Sequence, residues 1–228
     1  NLSLALGTSG VSPLEMASAY STIANLGVYN EPYFIQRIED FKANPLYENF
    51  YHGVQRYSPK SIYPLLNMMQ GVVDGGTGRI VRRMGFKHPA AGKTGTTNNF
   101  KDAWFNGFTK TFSTSVWVGQ DKNAPMIDRE GRGLTGGRAA APIWVFFMQK
   151  ALQGRNPIKF PIPEGIRFEK VDVHSGTLVD DQSVESMNVA LKDEVIIPLR
   201  AFDLEATSME QAVEDNPIIS ELNDVPNP

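Results

Sequence analysis

Cysteine is missing from all 228 positions of the chain. Its absence excludes disulfides, thiolate metal ligands and cysteine nucleophiles, and is compatible with an oxidising compartment. Also missing is any uninterrupted apolar run of about 20 residues, so no membrane-spanning helix is expected within this sequence. Asn1 opens directly into an amphipathic region instead of a basic and then apolar segment, and no signal peptide is expected at this start. The three histidines, His52, His88 and His174, stand apart with no carboxylate or second histidine at ligand spacing, so neither a metal site nor another cofactor is expected. Basic residues are absent beyond Arg200, where Asp203, Glu205, Glu210, Glu214, Asp215, Glu221 and Asp224 remain. That tail carries −7, while the preceding part, with 22 basic side chains and the other 18 of the 25 acidic ones, carries +4. A mildly basic folded part suits an anionic ligand, and no nucleic-acid partner is expected.

What is present is the composition of an ordinary globular protein, with 41% hydrophobic, 10% aromatic and 21% charged residues, long enough to bury a core. The stretch that organises it is Ala91-Gly92-Lys93-Thr94-Gly95-Thr96-Thr97. Read as a strand, it places Thr94 and Thr96 on one face and Lys93 and Gly95 on the other. Two hydroxyls at that spacing can grip a carboxylate, and the lysine supplies a cation beside an empty Cβ position. So much glycine and hydroxyl makes a poor core strand but a serviceable sheet edge that something can approach. A phosphate-binding loop is rejected, since position 87 holds Lys87 where a glycine is needed and Thr96-Thr97-Asn98-Asn99 begins no helix.

Around that stretch the elements follow in order. Ser12-Pro13-Leu14-Glu15 is a capped helix start, with Leu14, Ala17, Tyr20 and Ala24 on one face and Gly27 as the stop. Tyr33 to Glu39 reads as a strand and Asn44 to Gly53 as loop. A second helix opens at Ser58-Pro59, with Ile62, Leu65, Leu66, Met69, Val72 and Val73 on its buried face, and runs into the glycine turn Gly75-Gly76-Thr77-Gly78-Arg79. Asp102 to Thr109 and Phe112 to Gln120 are strands whose short connection favours antiparallel pairing. Asp121 to Gly136 reads as loop, and a helix from Arg138 to Leu152 presents Ile143, Trp144, Phe147, Met148 and Leu152. Phe160-Pro161-Ile162-Pro163 is a linker, Phe168 to Val173 a strand and His174-Ser175-Gly176 a turn. Trp104, Phe105, Trp117 and Trp144 are assigned to core packing. The order predicts an α+β fold, an antiparallel sheet flanked by helices.

The Ala91 to Thr97 run, followed by Asp102-Ala103-Trp104-Phe105-Asn106-Gly107-Phe108 and Val116-Trp117-Val118-Gly119, resembles the third and following strands of the transpeptidase domain of class A, bifunctional penicillin-binding proteins. Gly75 to Arg79 resembles that family's G-T-G-like turn. Gly136-Gly137 with Ala140-Ala141-Pro142-Ile143-Trp144 resembles its last-helix signature, and Ser12-Pro13-Leu14-Glu15-Met16-Ala17 with Tyr20 the helix after its second motif. The resemblance covers about residues 1 to 150 and the strand near Phe168. The family's S-x-x-K occurs nowhere in the sequence, and S-x-N occurs only as Ser186-Met187-Asn188, on the wrong side of K-T-G.

The resemblance therefore implies the C-terminal part of a fold of the serine β-lactamase and penicillin-binding transpeptidase type. Residues 1–153 would belong to the transpeptidase domain, residues 154–200 would form a linker with further strands of the same sheet or a small appended module, and residues 201–228 an acidic, flexible tail. The implied activity is D,D-transpeptidation of peptidoglycan, with the nucleophilic serine on an N-terminal part of the same protein that carries S-x-x-K and S-x-N. Lys93, Thr94, Gly95 and Thr96 would be catalytic, and Thr94, Thr96, Thr97 and Asn98 would bind the stem peptide. Lys93 would bring a cation to the scissile bond, the two threonines would donate to the substrate carboxylate, Gly95 would keep the lysine face clear, and the Thr96 N–H would be one of two oxyanion donors. Implied partners are the stem peptide and β-lactams as covalent inhibitors. The parent protein would also carry a peptidoglycan glycosyltransferase and sit at the extracytoplasmic, periplasmic face of the bacterial inner membrane through an N-terminal anchor. A serine D,D-carboxypeptidase or β-lactamase-like hydrolase, and a non-catalytic module that binds peptides along its edge strand, remain alternatives.

Overall fold

The computed structural model describes residue 7, residues 9–179 and residues 185–197, in two units that divide between Ile166 and Arg167. The acidic stretch expected at residues 201–228 lies outside the described residues.

In the first unit, helix α1 (Pro13–Ala24) begins where the sequence signals it. Ser12 Oγ accepts the Glu15 N–H, and the Glu15 carboxylate accepts the Ser12 N–H at 2.7 Å, a reciprocal cap that satisfies two orphan donors. Those bonds from the Ser12 backbone and then its hydroxyl hold the Glu15 carboxyl below its ordinary pKa. The chain leaves α1 through Gly27 at φ +93°, where a Cβ would lie 2.0 Å from the Tyr57 carbonyl oxygen. Two small ladders follow, β1 (Val28–Tyr29) with β4 (Val54–Gln55) and β2 (Arg37–Glu39) with β3 (Pro45–Glu48). Helix α2 (Pro59–Asp74), capped by Ser58, buries Ile62, Tyr63, Leu66, Met69 and Val73. One short turn, α3 (Ile80–Arg83), leads to the central sheet.

That sheet is an antiparallel meander in the order β5 (Ala91–Thr96), β6 (Asp102–Phe108), β7 (Ser113–Gly119), with Lys93 opposite Asn106 and Gly95 opposite Trp104. On one face Ala91 and Phe108 join Ala24, Leu66, Met69 and Phe160, with Tyr20 edge-on to Phe108. The other face carries Phe105, Val116 and Val118 against a π-helical turn (Gly136–Ala140) and α4 (Ala141–Ala151). Trp144 anchors that layer. It is fully buried, meets Phe105 and Phe86 edge-on at 5.3 and 5.1 Å, and donates its indole N–H to the Gly107 carbonyl at 3.1 Å.

Several expectations change. Only the last three residues of the Tyr33–Glu39 segment pair as strand, and the Asn44–Gly53 segment, expected as loop, contributes β3 to a hairpin whose apolar residues face solvent. Leu14 and Leu65 are exposed at their helix margins. On α4 the buried stripe is Ala141, Trp144, Val145 and Met148, while Ile143 and Phe147 are 50% and 55% exposed. Trp144, Met148 and Leu152 are buried as expected, and since either flank fits a 3.6-residue period beside them, periodicity alone does not choose between Ile143 with Phe147 and Ala141 with Val145. Phe160 is a core residue edge-on to Phe108, not a linker residue. Trp117, assigned to the core, is 42% exposed.

The second unit contains most of β8 (Ile166–Asp172), paired with β9 (Ser186–Lys192) in a two-stranded sheet of its own. Arg167 braces it by donating to the Glu169 carboxylate and to the carbonyls of Lys192, Asp193 and Val195. Ser186-Met187-Asn188 begins β9.

Candidate active site

Strand β5 is at an edge of its sheet, and among the described residues no strand pairs with its outer side. The register fixes which groups point outward. The Thr97 N–H donates to the Asp102 carbonyl at 3.1 Å, so that pair is hydrogen-bonded, and the alternation of an antiparallel ladder makes Gly95–Trp104 and Lys93–Asn106 bonded pairs as well. Thr94 and Thr96 therefore turn their backbone N–H and C=O groups toward the free edge. An extended peptide could add there as a further strand.

The threonine face is held from two directions. The Thr77 and Thr94 hydroxyls lie 2.8 Å apart, and the Gly136 N–H donates to Thr96 Oγ1 at 3.0 Å. These contacts require glycine. A Cβ on Gly136 would lie 2.1 Å from the Trp104 carbonyl oxygen and 2.6 Å from that of Gly95, and one on Gly137 would meet the Thr77 carbonyl oxygen at 2.9 Å. The turn after α2 and the turn before α4 thus converge on the two hydroxyls.

On the opposite face Lys93 is exposed, its ammonium donating to the Thr94 carbonyl at 2.9 Å, and among the described residues no carboxylate pairs with it. Gly95 makes room for the cross-strand neighbour on its own sheet, because a Cβ would approach Trp104 Cβ at 3.0 Å. Trp104 lies beside Trp117, whose indole N–H donates to Asp102. The Thr97 hydroxyl is committed to the same Asp102, accepting its backbone N–H at 2.8 Å, while Asn98 is exposed in a 3-10 turn (Asn98–Phe100).

Farther along, Asp128 accepts hydrogen bonds from the backbone N–H of Arg132 and of Glu130 and from the guanidinium groups of Arg138 and Arg132. The Arg132 backbone bond is the largest of the effects that hold this carboxyl far below the usual range. Since Arg138 follows Gly136-Gly137 directly, the bridge ties loop 121–135 to the turn that touches Thr96. A cleft of about 520 Å³ lies elsewhere, lined by aromatics including Tyr29, Tyr33, Tyr47 and Tyr51.

The expected residues Lys93, Thr94, Gly95 and Thr96 share one accessible strand, with Thr97 and Asn98 just beyond it. Thr77, Gly136 and Gly137 were absent from the expected site. The sequence marked both turns, through their glycines and through the family resemblance of Gly75 to Arg79 and of Gly136-Gly137, but glycine by itself signals chain reversal and neither signal named a contact with Thr94 or Thr96.

An edge K-T-G-T strand on an antiparallel sheet, with helices on both faces, is the architecture of a penicillin-binding transpeptidase domain. The model for the penicillin binding protein transpeptidase domain matches residues 1–145, and the chain belongs to that family. It is 40% identical to penicillin-binding protein 1A of Neisseria lactamica over 172 residues, 73% of this chain and 21% of the relative. The corresponding protein of Aquifex aeolicus is 40% identical over 147 residues, 64% of this chain and 19% of that one. Among solved structures, penicillin-binding protein 1A of Haemophilus influenzae superposes with a TM-score of 0.74 at 25% identity, covering 88% of this chain and 34% of that one. PonA1 of Mycobacterium tuberculosis, in complex with penicillin V, gives a TM-score of 0.60 at 30% identity, covering 71% and 43%. The chain spans about a fifth of the length of the curated relatives it matches.

Proposed function

We propose that this chain supplies the K-T-G-T half of a serine D,D-transpeptidase site, completed by polypeptide bearing S-x-x-K and S-x-N. The observation that carries the reading is the edge of β5, unpaired among the described residues, where the outward N–H and C=O groups of Thr94 and Thr96 lie next to the exposed Lys93 ammonium. A stem peptide aligns along that edge as an added strand. The serine oxygen attacks the carbonyl of the D-Ala-D-Ala bond, losing its proton to a neighbouring base. The Thr96 N–H and the serine's own N–H stabilise the oxyanion, and removing one such donor typically costs about 3 kcal/mol. The C–N bond breaks, D-alanine departs with a proton on its nitrogen, and an amine of a second strand takes the acyl group from the serine ester.

Lys93 provides positive charge near the reacting bond and the terminal carboxylate, and the Thr94 and Thr96 hydroxyls donate to that carboxylate. Thr97 keeps the turn beyond the strand closed through Asp102, leaving the Asn98 amide for the stem peptide. A β-lactam acylates the same serine, a reading supported by the penicillin V complex of the PonA1 relative. The site works on the periplasmic side of the inner membrane, in a protein that also carries a glycosyltransferase and a membrane anchor. Labelling with fluorescent penicillin tests the reading. The full-length protein forms a covalent adduct, whereas residues 1–228 alone form none; an unlabelled full-length protein would refute the assignment.

A further inference from the structure

The two hydroxyls assigned to carboxylate binding are not equivalent in what fixes their protons. Thr96 Oγ1 accepts from a backbone N–H, that of Gly136, which can only donate. The Thr96 proton is therefore not used in that bond and remains free to donate to a ligand. Thr94 Oγ1 is paired with another hydroxyl, Thr77 Oγ1, and in that pair either oxygen can donate. If Thr94 donates, its lone pairs face an incoming carboxylate and repel it. If Thr77 donates, both β5 hydroxyls present protons to the anion.

Thr77 is placed for this task by close packing on three sides. A Cβ on Gly76 would lie 2.9 Å from Val72 Cα, one on Gly78 would lie 3.3 Å from Phe105 Cε2, and one on Gly137 would press on the Thr77 carbonyl. The Gly78 N–H also donates to the Val72 carbonyl at 2.9 Å, anchoring the turn to the end of α2.

We propose that Thr77 is a positioning residue for the carboxylate of the substrate, its hydroxyl donating to Thr94 Oγ1 so that Thr94 donates to the anion. The inference rests on the functional reading above, in which Thr94 and Thr96 bind that carboxylate. A chain of hydrogen bonds ending on an anion strengthens each member, so Thr77 acts on ligands that carry the charge and not on neutral ones.

The test uses the full-length protein and two probes, benzylpenicillin and its methyl ester, with the second-order acylation rate constant as the readout. Thr77→Val keeps the shape and removes the hydroxyl. It should slow acylation by the acid about fivefold, the scale of one lost hydrogen bond, and leave the ester within about twofold. Thr77→Ser should restore the acid rate. In a Thr94→Val background, Thr77→Val should add nothing further. Equal losses with acid and ester, no loss with either, or a Thr77→Ser variant as slow as Thr77→Val would each overturn the proposal. If the wild-type protein reacts with neither probe, it is the transpeptidase reading that fails.

Discussion

Replacing Gly136 by alanine asks most directly whether the sheet edge is shaped by the turn packed on it. The new Cβ would lie 2.1 Å from the Trp104 carbonyl oxygen and 2.6 Å from that of Gly95. Both obstacles are backbone, so no rotamer change relieves them. The turn must retreat by about 1 Å to reach an ordinary contact distance. That retreat pulls the Gly136 N–H away from Thr96 Oγ1, now at 3.0 Å, and loosens the buried Ala140 and Ala141 against Phe105. Overpacking of this kind costs about 1–3 kcal/mol and the lost hydrogen bond about 1 more, so we expect a total of about 2–4 kcal/mol. For a two-state domain of this size the melting temperature should fall by about 4–16 °C. Gly75→Ala is the control, since a Cβ there meets nothing within 4 Å, and it should stay within about 0.5 kcal/mol of wild type. Differential scanning calorimetry of the three 228-residue chains, with penicillin acylation rates of the corresponding full-length proteins alongside, provides the measurement. A Gly136→Ala protein that melts and reacts like wild type would refute the close packing of this turn on β5.

The sequence patterns that proved legible are those set by neighbours a few residues away. The Ser12 and Ser58 caps, the two helices they start and the β6–β7 hairpin follow from local spacing, and the structure contains each of them. The K-T-G strand was visible because glycine and threonine at alternating positions suit an edge and little else. What was hidden depends on contacts across the chain. Thr77 meets Thr94 across 17 positions and Gly136 meets Thr96 across 40, and nothing in a glycine-rich turn announces such a partner. On α4 the Trp144, Met148 and Leu152 line was legible but its flank was not, because Ile143 with Phe147 and Ala141 with Val145 both fit a 3.6-residue period beside it, and packing on the sheet selects the smaller pair. Phe160 sits between prolines that signal a connector, yet a ring that can reach Phe108 is buried whatever its neighbours suggest.

In the full-length protein Lys93→Ala should slow penicillin acylation by orders of magnitude with a melting temperature close to wild type, because the exposed side chain buries little and its only hydrogen bond among the described residues is to the adjacent Thr94 carbonyl. A large drop in melting temperature would show that the lysine is structural instead. Asp128→Asn should destabilise the loop before the Gly136 turn, with a sign that depends on pH. The folded-state pKa of Asp128 lies below its unfolded value, so its contribution is fully present above the ordinary carboxylate range near 4 and is lost as pH falls through the folded value. Urea unfolding of wild type and Asp128→Asn at pH 7 and at successively lower pH should therefore show a gap that is constant at neutral pH and closes only in acid. Because Asp128 also joins Arg138 to the turn touching Thr96, the same substitution in the full-length protein should reduce acylation at neutral pH. A stability gap that widened on acidification would mean that the carboxylate is better stabilised in the unfolded chain, and the Arg132 and Arg138 contacts would then not be what holds this loop.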